Sequence, residues 1–358
     1  MTHLHLVNGF LGSGKTTAIV AAAGQHLARG EKVGVVTNDQ GRYLVDTAFF
    51  RAQQVPTVQV AGGCFCCNYA DLAQMLAQLR QDAQPDVIYA ESVGSCADLV
   101  ATVVQPLRAL REGGIPPMSL SALADARLLL RRLRGQPLPF SDEVIYIWDQ
   151  QLAEAGLLVA NKVDLLTPAD RQELEALAQA RYAGKRLLLQ NSLATEGVAA
   201  WVQAIESGQA APPADLLEMD YALYGAGEGQ LAWLDQALAI RAPQDVAPAL
   251  GDLVETLERA VRRRGLPIGH IKLLARGGGQ VVKLSLTALE EDGPPDALPP
   301  LGREIELLIN ARVQADAQEL RELVNEALQA VGAQHGLTWR WLAEQAFHPS
   351  APLARPQA

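Results

Sequence analysis

A glycine-rich segment near the start of the sequence has the residue types needed to bind phosphate. Residues 9–16 read Gly-Phe-Leu-Gly-Ser-Gly-Lys-Thr, which matches the pattern G-x-x-x-x-G-K-S/T in full. An apolar run precedes the segment and a helix-forming run follows it, so the loop is predicted to join a strand to a helix N-terminus. Backbone N–H groups in such a loop point at phosphate oxygens, and the helix dipole adds to the attraction. The pattern therefore predicts a site for a nucleoside triphosphate.

The last residues of this loop have individual predicted roles. Lys15 is predicted to reach the outer phosphates, and the Thr16 hydroxyl is predicted to coordinate Mg²⁺. A glycine-rich turn without a ligand is the alternative, but the complete pattern in a strand-to-helix setting favours phosphate. The predicted phosphate-binding residues are Gly12, Ser13, Gly14, Lys15, Thr16 and Thr17.

Two carboxylates are predicted to lie beside the triphosphate. Glu91 directly follows the predicted strand 87–90, where many nucleotide hydrolases hold Mg²⁺ through water, and Gly94 is the predicted γ-phosphate sensor. Asp39 lies just after the second predicted strand, although an aspartate shortly before a glycine also suits a turn. Mg²⁺ prefers a few oxygen ligands together with waters. The predicted Mg²⁺ ligands are Thr16, Asp39 and Glu91, and the predicted catalytic residues are Lys15, Asp39 and Glu91.

A second motif concerns the base of the nucleotide. Residues 161–164 read Asn-Lys-Val-Asp and follow the predicted strand 156–160. The carboxylate of Asp164 can accept hydrogen bonds from N1–H and the N2 amino group of guanine, whereas adenine presents a different edge. The stem of Lys162 can lie over the base, and Ser192 is predicted to support it from the other side. GTP is therefore the predicted nucleotide, and the residues predicted at its base are Asn161, Lys162, Asp164 and Ser192.

Three of the four cysteines are clustered with C-x-C-C spacing, as Cys64, Cys66 and Cys67. Thiolates are soft ligands that suit Zn²⁺ and other late metals, and three protein ligands would leave one coordination position open. The spacing predicts a transition-metal site, with a redox thiol cluster and a structural turn as the alternatives. Cys96 is interpreted as a small buried hydrophobic residue, and a role as fourth ligand stays open.

Composition limits the remaining classes of function. The chain has 358 residues, 49% of them hydrophobic, which is enough for about two domains. A net charge of −10 and only small basic clusters argue against a nucleic-acid partner. The sequence has neither a signal peptide nor an apolar run of about 18 residues, so we expect no membrane partner. Clustered cysteines without a disulfide framework indicate a reducing compartment, and the expected location is cytoplasmic.

Apolar runs alternate with helical patterns over the first part of the chain. The predicted strands cover residues 4–7, 33–37, 57–60, 87–90, 119–124, 156–160 and 186–189. The predicted helices cover residues 15–28, 71–81, 99–110, 168–181 and 198–205. This alternation predicts an α/β fold: a P-loop GTPase domain with a mostly parallel sheet covered by helices on both faces.

The pattern changes after a linker-like stretch rich in glycine, alanine and proline. Strands are predicted at 268–275, 281–287 and 304–313, followed by an amphipathic helix at 316–331. These elements predict a smaller C-terminal α+β domain. The predicted organisation is a GTPase domain at 1–206, a linker at 207–218, the C-terminal domain at 219–345, which docks a client, and a flexible tail at 346–358.

Taken together, the motifs resemble the CobW/HypB/UreG family of metal-handling GTPases, and most closely its CobW-like branch. The resemblance covers about residues 2–206, and its carriers are the segments at 9–17, 62–68, 91–94 and 161–164. It implies a GTPase whose turnover is coupled to delivery of a transition metal, often zinc or cobalt. It also implies a metal-requiring client protein, and a homodimer or client docking that depends on nucleotide.

The chain departs from the CobW-like pattern in two respects. Residues 38–41 read Asn-Asp-Gln-Gly where CobW-like members commonly have Asn-Glu-Phe-Gly, and the aspartate looks closer to the UreG and HypB branches. The sequence also has no histidine-rich loop and only six histidines, which argues against metal storage.

The leading hypothesis is a GTP-dependent metallochaperone that hydrolyses GTP slowly without a covalent intermediate. Because the cysteines lie between Asp39 and Glu91 in the sequence, hydrolysis is predicted to loosen the metal-holding loop. The main alternative is a nucleotide-gated regulatory protein whose cysteines sense metal or redox state. A small-molecule phosphotransferase is a third hypothesis, but such enzymes have no general need for guanine selectivity.

Overall fold

A computed structural model describes residues 2–39, 41, 44–61, 64–65, 69–109, 117–289 and 297–352, with only the backbone described at 39, 61 and 195. Its contacts divide the chain into two compact units. The first unit comprises Met1–Gln40, Gln53–Gly227 and Ala351–Ala358. The second unit comprises Gly41–Ala52 and Glu228–Ser350. The predicted linker covers residues 207–218, whereas the chain passes from the first unit to the second between Gly227 and Glu228.

The first unit is built on a sheet of seven parallel strands. In chain order they are β1 (His3–Asn8), β2 (Val33–Asp39), β3 (Thr57–Ala61), β4 (Val87–Glu91), β5 (Met118–Asp125), β6 (Leu157–Asn161) and β7 (Arg186–Gln190). They lie side by side in the order β3-β2-β4-β1-β5-β6-β7. The central strands are buried throughout, as expected for parallel strands covered on both faces. The predicted fold class is confirmed.

Helices connect these strands and continue into the second unit. In chain order they are α1 (Lys15–Ala28), α2 (Val45–Ala52), α3 (Tyr69–Asp82), α4 (Gln105–Ala109), α5 (Ala126–Leu133), α6 (Asp142–Glu154), α7 (Pro168–Arg181), α8 (Ala199–Glu206), α9 (Tyr221–Gly229), α10 (Ala247–Arg263) and α11 (Ala317–His335). The predicted helix 99–110 is a π-helix, Val100–Val104, that continues as α4. Within the described part of the chain, no helix is both long and apolar enough to cross a bilayer.

The second unit contains an antiparallel sheet of five strands. They are β8 (Leu231–Arg241), β9 (Ile268–Gly277), β10 (Gln280–Thr287), β11 (Glu304–Gln314) and β12 (Thr338–Phe347), in the order β10-β9-β11-β8-β12. The turn between β9 and β10 contains Gly278 and Gly279, both with positive φ, where glycine is unstrained. Apolar residues of α10 and α11 pack with one face of this sheet to form its main core.

Helix α2 belongs to this second unit, although its sequence lies between two strands of the first. Val45 packs with Ala237, Leu274 and Leu308 in a separate buried cluster. Because residues alternate between the two faces of a strand, this cluster lies on the face opposite the main core. The amide of Val45 also donates to Asn310 Oδ1 at 2.8 Å.

A partly buried cluster of three charged side chains holds the first turn of α2. Asp46 Oδ2 lies 2.5 Å from Lys272 Nζ, and its Oδ1 lies 3.1 Å from Lys283 Nζ. Arg276 donates to the carbonyl of Ala48 at 3.0 Å. Burial alone would raise the pKa of Asp46, but the two lysines outweigh it and hold that pKa well below its usual range. Helix α2 is therefore bound to the sheet by both charge and apolar packing.

Candidate functional site

The glycine-rich loop lies at the carboxyl end of β1, where β4 and β5 flank that strand. Ligands of open parallel sheets bind at this end. Gly14 is the N-cap of α1 and has φ +90°, a conformation that only glycine adopts without strain. A Cβ at Gly14 would lie 2.3 Å from Nδ2 of Asn161. The loop backbone and the Asn161 side chain therefore approach each other too closely for any other residue at this position.

Gly14→Ala is expected to weaken GTP and GDP binding at least about tenfold, because the new methyl group must push the loop or Asn161 out of place. Gly24→Ala is the matched control, since Gly24 lies in α1 with open space around its Cα. That control is expected to keep nucleotide affinity and to gain about 0.5–1 kcal/mol of stability from better helix propensity. Titration with a fluorescent guanine nucleotide measures the affinities. Equal affinity of the two variants would contradict the role assigned to Gly14.

The structure brings two of the predicted Mg²⁺ ligands together. Thr16 Oγ1 donates to Glu91 Oε1 at 2.8 Å, and both side chains are buried. A hydroxyl and a carboxylate at this distance form the hard oxygen donor set that Mg²⁺ prefers. Lys15 Nζ donates to the carbonyls of Gly9 and Phe10, at 2.6 and 3.3 Å. These bonds hold the Lys15 ammonium group over the loop where phosphate oxygens are predicted to bind.

Asp39 is placed by its backbone alone. It is the last residue of β2, where it pairs with Ala61 of β3. Two residues earlier in the same strand, Thr37 pairs with Glu91 of β4. The strand ends that carry Asp39 and Glu91 are therefore neighbours in the sheet, while the Asp39 side chain lies outside the described part of the structure.

Asn161 joins the phosphate loop to the predicted base-binding turn. Its Nδ2 donates to the carbonyl of Ser13 at 2.9 Å. Its Oδ1 accepts from both the backbone N–H and the hydroxyl of Ser192, at 3.1 and 2.7 Å. Asn161 is 2% exposed, so these bonds are protected from water. Ser192 therefore orients the side chain of Asn161, which in turn holds the phosphate loop. The spacing of the motifs did not reveal this connection.

Lys162 is oriented by a carboxylate that the sequence analysis did not single out. Its Nζ lies 3.3 Å from Oδ2 of Asp125, the last residue of β5, and its backbone has φ +65°. Arg127 donates to the same carboxylate at 2.7 and 3.1 Å. Burial would raise the pKa of Asp125, but Arg127 and Lys162 together lower it, so the carboxylate stays charged. Asp164 is exposed and available to a base. The position of Asp125 at the end of the strand beside β6 is the signal that could have identified it.

The segment after β4 packs directly on the phosphate loop. A Cβ at Gly94 would lie 2.5 Å from Cδ2 of Leu11 and 3.1 Å from its Cα. Ser92 Oγ donates to Asn8 Oδ1 at 2.9 Å, immediately before the loop. Cys96 is fully buried and is not in a disulfide, which fits the interpretation as a small core residue. The predicted γ-phosphate sensor therefore contacts the loop that it is expected to monitor.

The cysteine motif is described in part. Cys64 is 5% exposed and disulfide-bonded, while Cys66 and Cys67 lie outside the described residues. The backbone N–H of Phe65 donates to Asn38 Oδ1 at 2.8 Å, and Asn38 Nδ2 donates to the carbonyl of Val60. Asn38 immediately precedes Asp39, so one strand end contacts the cysteine segment and leads into the nucleotide site. Because metals bind thiolate, the predicted role of Cys64 as a metal ligand requires its reduced form.

A second group of potential ligands lies at the far end of α1. One atom each of His26, Glu31 and Glu206 lies within 4.8 Å of the others. Arg29 contacts all three side chains and supplies the positive charge at their centre. This cluster is therefore accounted for as an ion-pair network.

The match of the sequence to a known domain now decides the family. The model of the CobW/HypB/UreG nucleotide-binding domain matches residues 3–188, which include the phosphate loop, Glu91 and the 161–164 motif. The chain belongs to the CobW/HypB/UreG family. Members of this family named zinc chaperones are among its relatives. The zinc chaperone YeiR of Escherichia coli (strain K12) is 32% identical over 195 residues, 52% of this chain and 55% of YeiR.

Another relative is the zinc chaperone CobW of a Sinorhizobium species, which is 24% identical over 205 residues, 52% of this chain and 57% of that protein. The alignments thus span about half the length of the curated relatives. Among solved structures, the hydrogenase maturation factor HypB from Archaeoglobus fulgidus is 17% identical with a TM-score of 0.40, covering 58% of this chain and 90% of HypB.

Proposed function

We propose that this protein is a GTP-hydrolysing metallochaperone that binds a transition metal through Cys64, Cys66 and Cys67 and delivers it to a client protein. The observation that carries the proposal is the position of Asn38. Its side chain fixes the backbone of Phe65 within the cysteine motif, and its own strand ends one residue later at Asp39. A change of nucleotide at Asp39 therefore has a direct route to the cysteines.

The proposed chemistry is attack of water on the γ-phosphate of GTP. Bound Mg²⁺ would neutralise charge on the β- and γ-phosphates, with Thr16, Asp39 and Glu91 as the residues that hold it. Lys15 binds the outer phosphates, and the loop amides cradle them. Arg127, the arginine beside the base-binding motif, is held by Asp125 rather than offered to the γ-phosphate. We expect slow intrinsic turnover, as in GTPases that act without an assisting partner.

The proposed cargo is Zn²⁺ or Co²⁺. Three thiolates leave one coordination position for a ligand from the client, which suits transfer better than storage. The names of the relatives YeiR and CobW as zinc chaperones favour zinc. A reducing compartment such as the cytoplasm would keep the thiols available. We propose that the second unit, which contains most of the predicted domain at 219–345, docks the client. We also propose that the bound nucleotide controls this docking or the dimerisation of the protein.

The test is the metal affinity of reduced, full-length protein in the presence of Mg²⁺ with a GTP analogue and with GDP. We expect about one Zn²⁺ or Co²⁺ per chain, bound at least about tenfold more tightly in one nucleotide state than in the other. A Cys64→Ala/Cys66→Ala/Cys67→Ala variant is expected to lose this metal and to keep GTP binding. Equal affinity in the two nucleotide states would contradict coupling, and metal retained by the triple variant would contradict the site.

A nucleotide-gated regulatory protein whose cysteines sense metal or redox state is the second candidate, because the contact between Asn38 and the cysteine segment would serve sensing as well as transfer. In that case, GTP and GDP would change the rate at which Cys64 is oxidised, and no metal would move to an apo-client. Thiol titration during oxidation, run beside the metal-transfer assay, separates the two functions.

A further inference from the structure

A buried carboxyl group on α6 connects the phosphate loop with the segment after β4, which contains the predicted γ-phosphate sensor Gly94. Glu154 is the last residue of α6 and is 2% exposed. Its Oε1 accepts from Asn8 Nδ2 at 2.8 Å, and its Oε2 accepts from the backbone N–H of Val100 at 3.3 Å. Asn8 ends the strand before the phosphate loop, and Val100 begins the π-helix after β4. One side chain therefore holds both segments.

Asn8 extends this connection into the loop. Its Oδ1 accepts from the backbone N–H of Gly9, the first loop residue, at 2.8 Å. The same oxygen accepts from Ser92 Oγ at 2.9 Å. Because the Asn8 amide must present its oxygen to Gly9 and Ser92, its nitrogen must point at an acceptor, and Glu154 supplies that acceptor. The carboxyl of Glu154 thus fixes the orientation of Asn8.

Gln151 holds the same segment from one turn earlier on α6. Its Nε2 donates to the carbonyls of Gly94 and Cys96, each at 2.9 Å. Residues three apart share one face of a helix, so Gln151 and Glu154 contact the segment together. This face of α6 therefore contacts the segment after β4 at Gly94, Cys96 and Val100.

We propose that Glu154 is a positioning residue for GTP hydrolysis, which sets the place of the 92–100 segment relative to the phosphate loop through Asn8 and Val100. This inference rests on the proposed GTPase function. Among the described hydrogen bonds, Asn8 links Glu154 to the loop, so we expect Glu154 to act on turnover and to leave the predicted phosphate contacts of Lys15 intact. The expected loss is in kcat, because the segment contains the predicted sensor of the γ-phosphate, which GDP lacks.

The charge state of Glu154 gives the proposal a distinct signature. Burial raises the pKa of Glu154 to about 8, and nearby Asp98 adds to this effect, while hydrogen bonds from Val100, Leu99 and Asn8 oppose it. Lys185 is the basic side chain that faces it. Below pH 8 the group is mostly neutral, and above it a negative charge appears next to the loop that binds phosphate. We therefore expect GTP affinity to fall as the pH rises from 7 to 9, by about fivefold if binding raises the pKa of Glu154 by one unit.

The experiment compares full-length wild type, Glu154→Gln and the control Glu175→Gln, whose carboxylate is exposed on α7. Single-turnover GTP hydrolysis gives the chemical rate, and titration with fluorescent GTP and GDP analogues from pH 6.5 to 9 gives the affinities. Glu154→Gln is expected to lower the rate about tenfold, to leave GDP affinity within about twofold at pH 7, and to remove the pH dependence of GTP affinity. Glu175→Gln is expected to match wild type.

Two results separate the inference from the function beneath it. Absence of GTP hydrolysis by wild type would overturn the proposed function and this inference with it. Hydrolysis by wild type with equal rates and equal pH profiles in the two variants would overturn only the role of Glu154. Ser92→Ala, which removes one bond of the same network at lower risk to folding, is expected to show a smaller loss of rate with unchanged GDP affinity. An unchanged rate in Ser92→Ala would count against the network.

Discussion

Replacing Asp164 by Asn is expected to convert a preference for GTP into a preference for XTP. The carboxylate of Asp164 is exposed beside Lys162, whose ammonium group is held by Asp125. A carboxylate accepts two hydrogen bonds from the guanine edge, whereas an asparagine amide presents N–H groups to the guanine amino group. Xanthine has a carbonyl oxygen in place of that amino group and restores the match. Loss of two charge-assisted hydrogen bonds should weaken GTP binding at least about 100-fold.

Competition of GTP, XTP and ATP for a fluorescent nucleotide measures this change. Asp215→Asn provides the control, because the carboxylate of Asp215 is also exposed to solvent. The control is expected to keep the preference for GTP. A variant at Asp164 that binds GTP as wild type does, without any gain for XTP, would show that the base is recognised elsewhere.

Replacing Asp46 by Ala is expected to destabilise the protein by about 3 kcal/mol, because Lys272 and Lys283 would be left without their shared carboxylate. The three side chains are only 13–19% exposed, so water compensates poorly for the loss. Urea unfolding at pH 7 measures the free energy, with Asp71→Ala as the control. Asp71 occupies the corresponding first turn of α3 but is exposed. Equal stability of the two variants would mean that the ion pair contributes nothing.

The same substitution has a defined pH dependence. The pKa of Asp46 in the folded protein lies well below its usual value, whereas the unfolded chain has an ordinary pKa near 4. The stabilisation is therefore fully present above about pH 4 and is lost as the pH falls through the folded pKa. The difference in unfolding free energy between wild type and Asp46→Ala should be constant from pH 5 to 7 and should shrink in acid.

Much of the first unit was predictable from local sequence. The limits of α1 and α7 agree with the predicted helices, because a glycine-rich loop precedes α1, and Thr167 and Pro168 provide a cap and a first-turn proline for α7. The seven strands are largely apolar runs bounded by polar residues, so their predicted limits differ from the structure by one or two residues. Thr16 and Glu91 could be paired in advance because the motifs that contain them specify the chemistry.

The remaining features depend on contacts between distant parts of the chain. Strand β8 is rich in leucine and alanine and is buried on both faces, so it lacks the alternation that would indicate an antiparallel strand. The contacts of Asp125 with Lys162 and of Glu154 with Asn8 join residues far apart in sequence, and their spacing carries no signal. For the same reason, local sequence could not assign α2 to the second unit.

The assignment of α2 has a consequence for how such proteins can be divided or recombined. The boundaries between the two units fall at 40/41, 52/53, 227/228 and 350/351, so the second unit is not a cassette at the end of the chain. A fragment ending at residue 206 would retain α2 but lack the sheet that covers Val45 and neutralises Asp46. A chimera that exchanges the C-terminal part between relatives must therefore exchange residues 41–52 as well. Recombination at the predicted linker, residues 207–218, would separate α2 from the strands that it packs against. We therefore expect residues 41–52 and 228–350 to be inherited together.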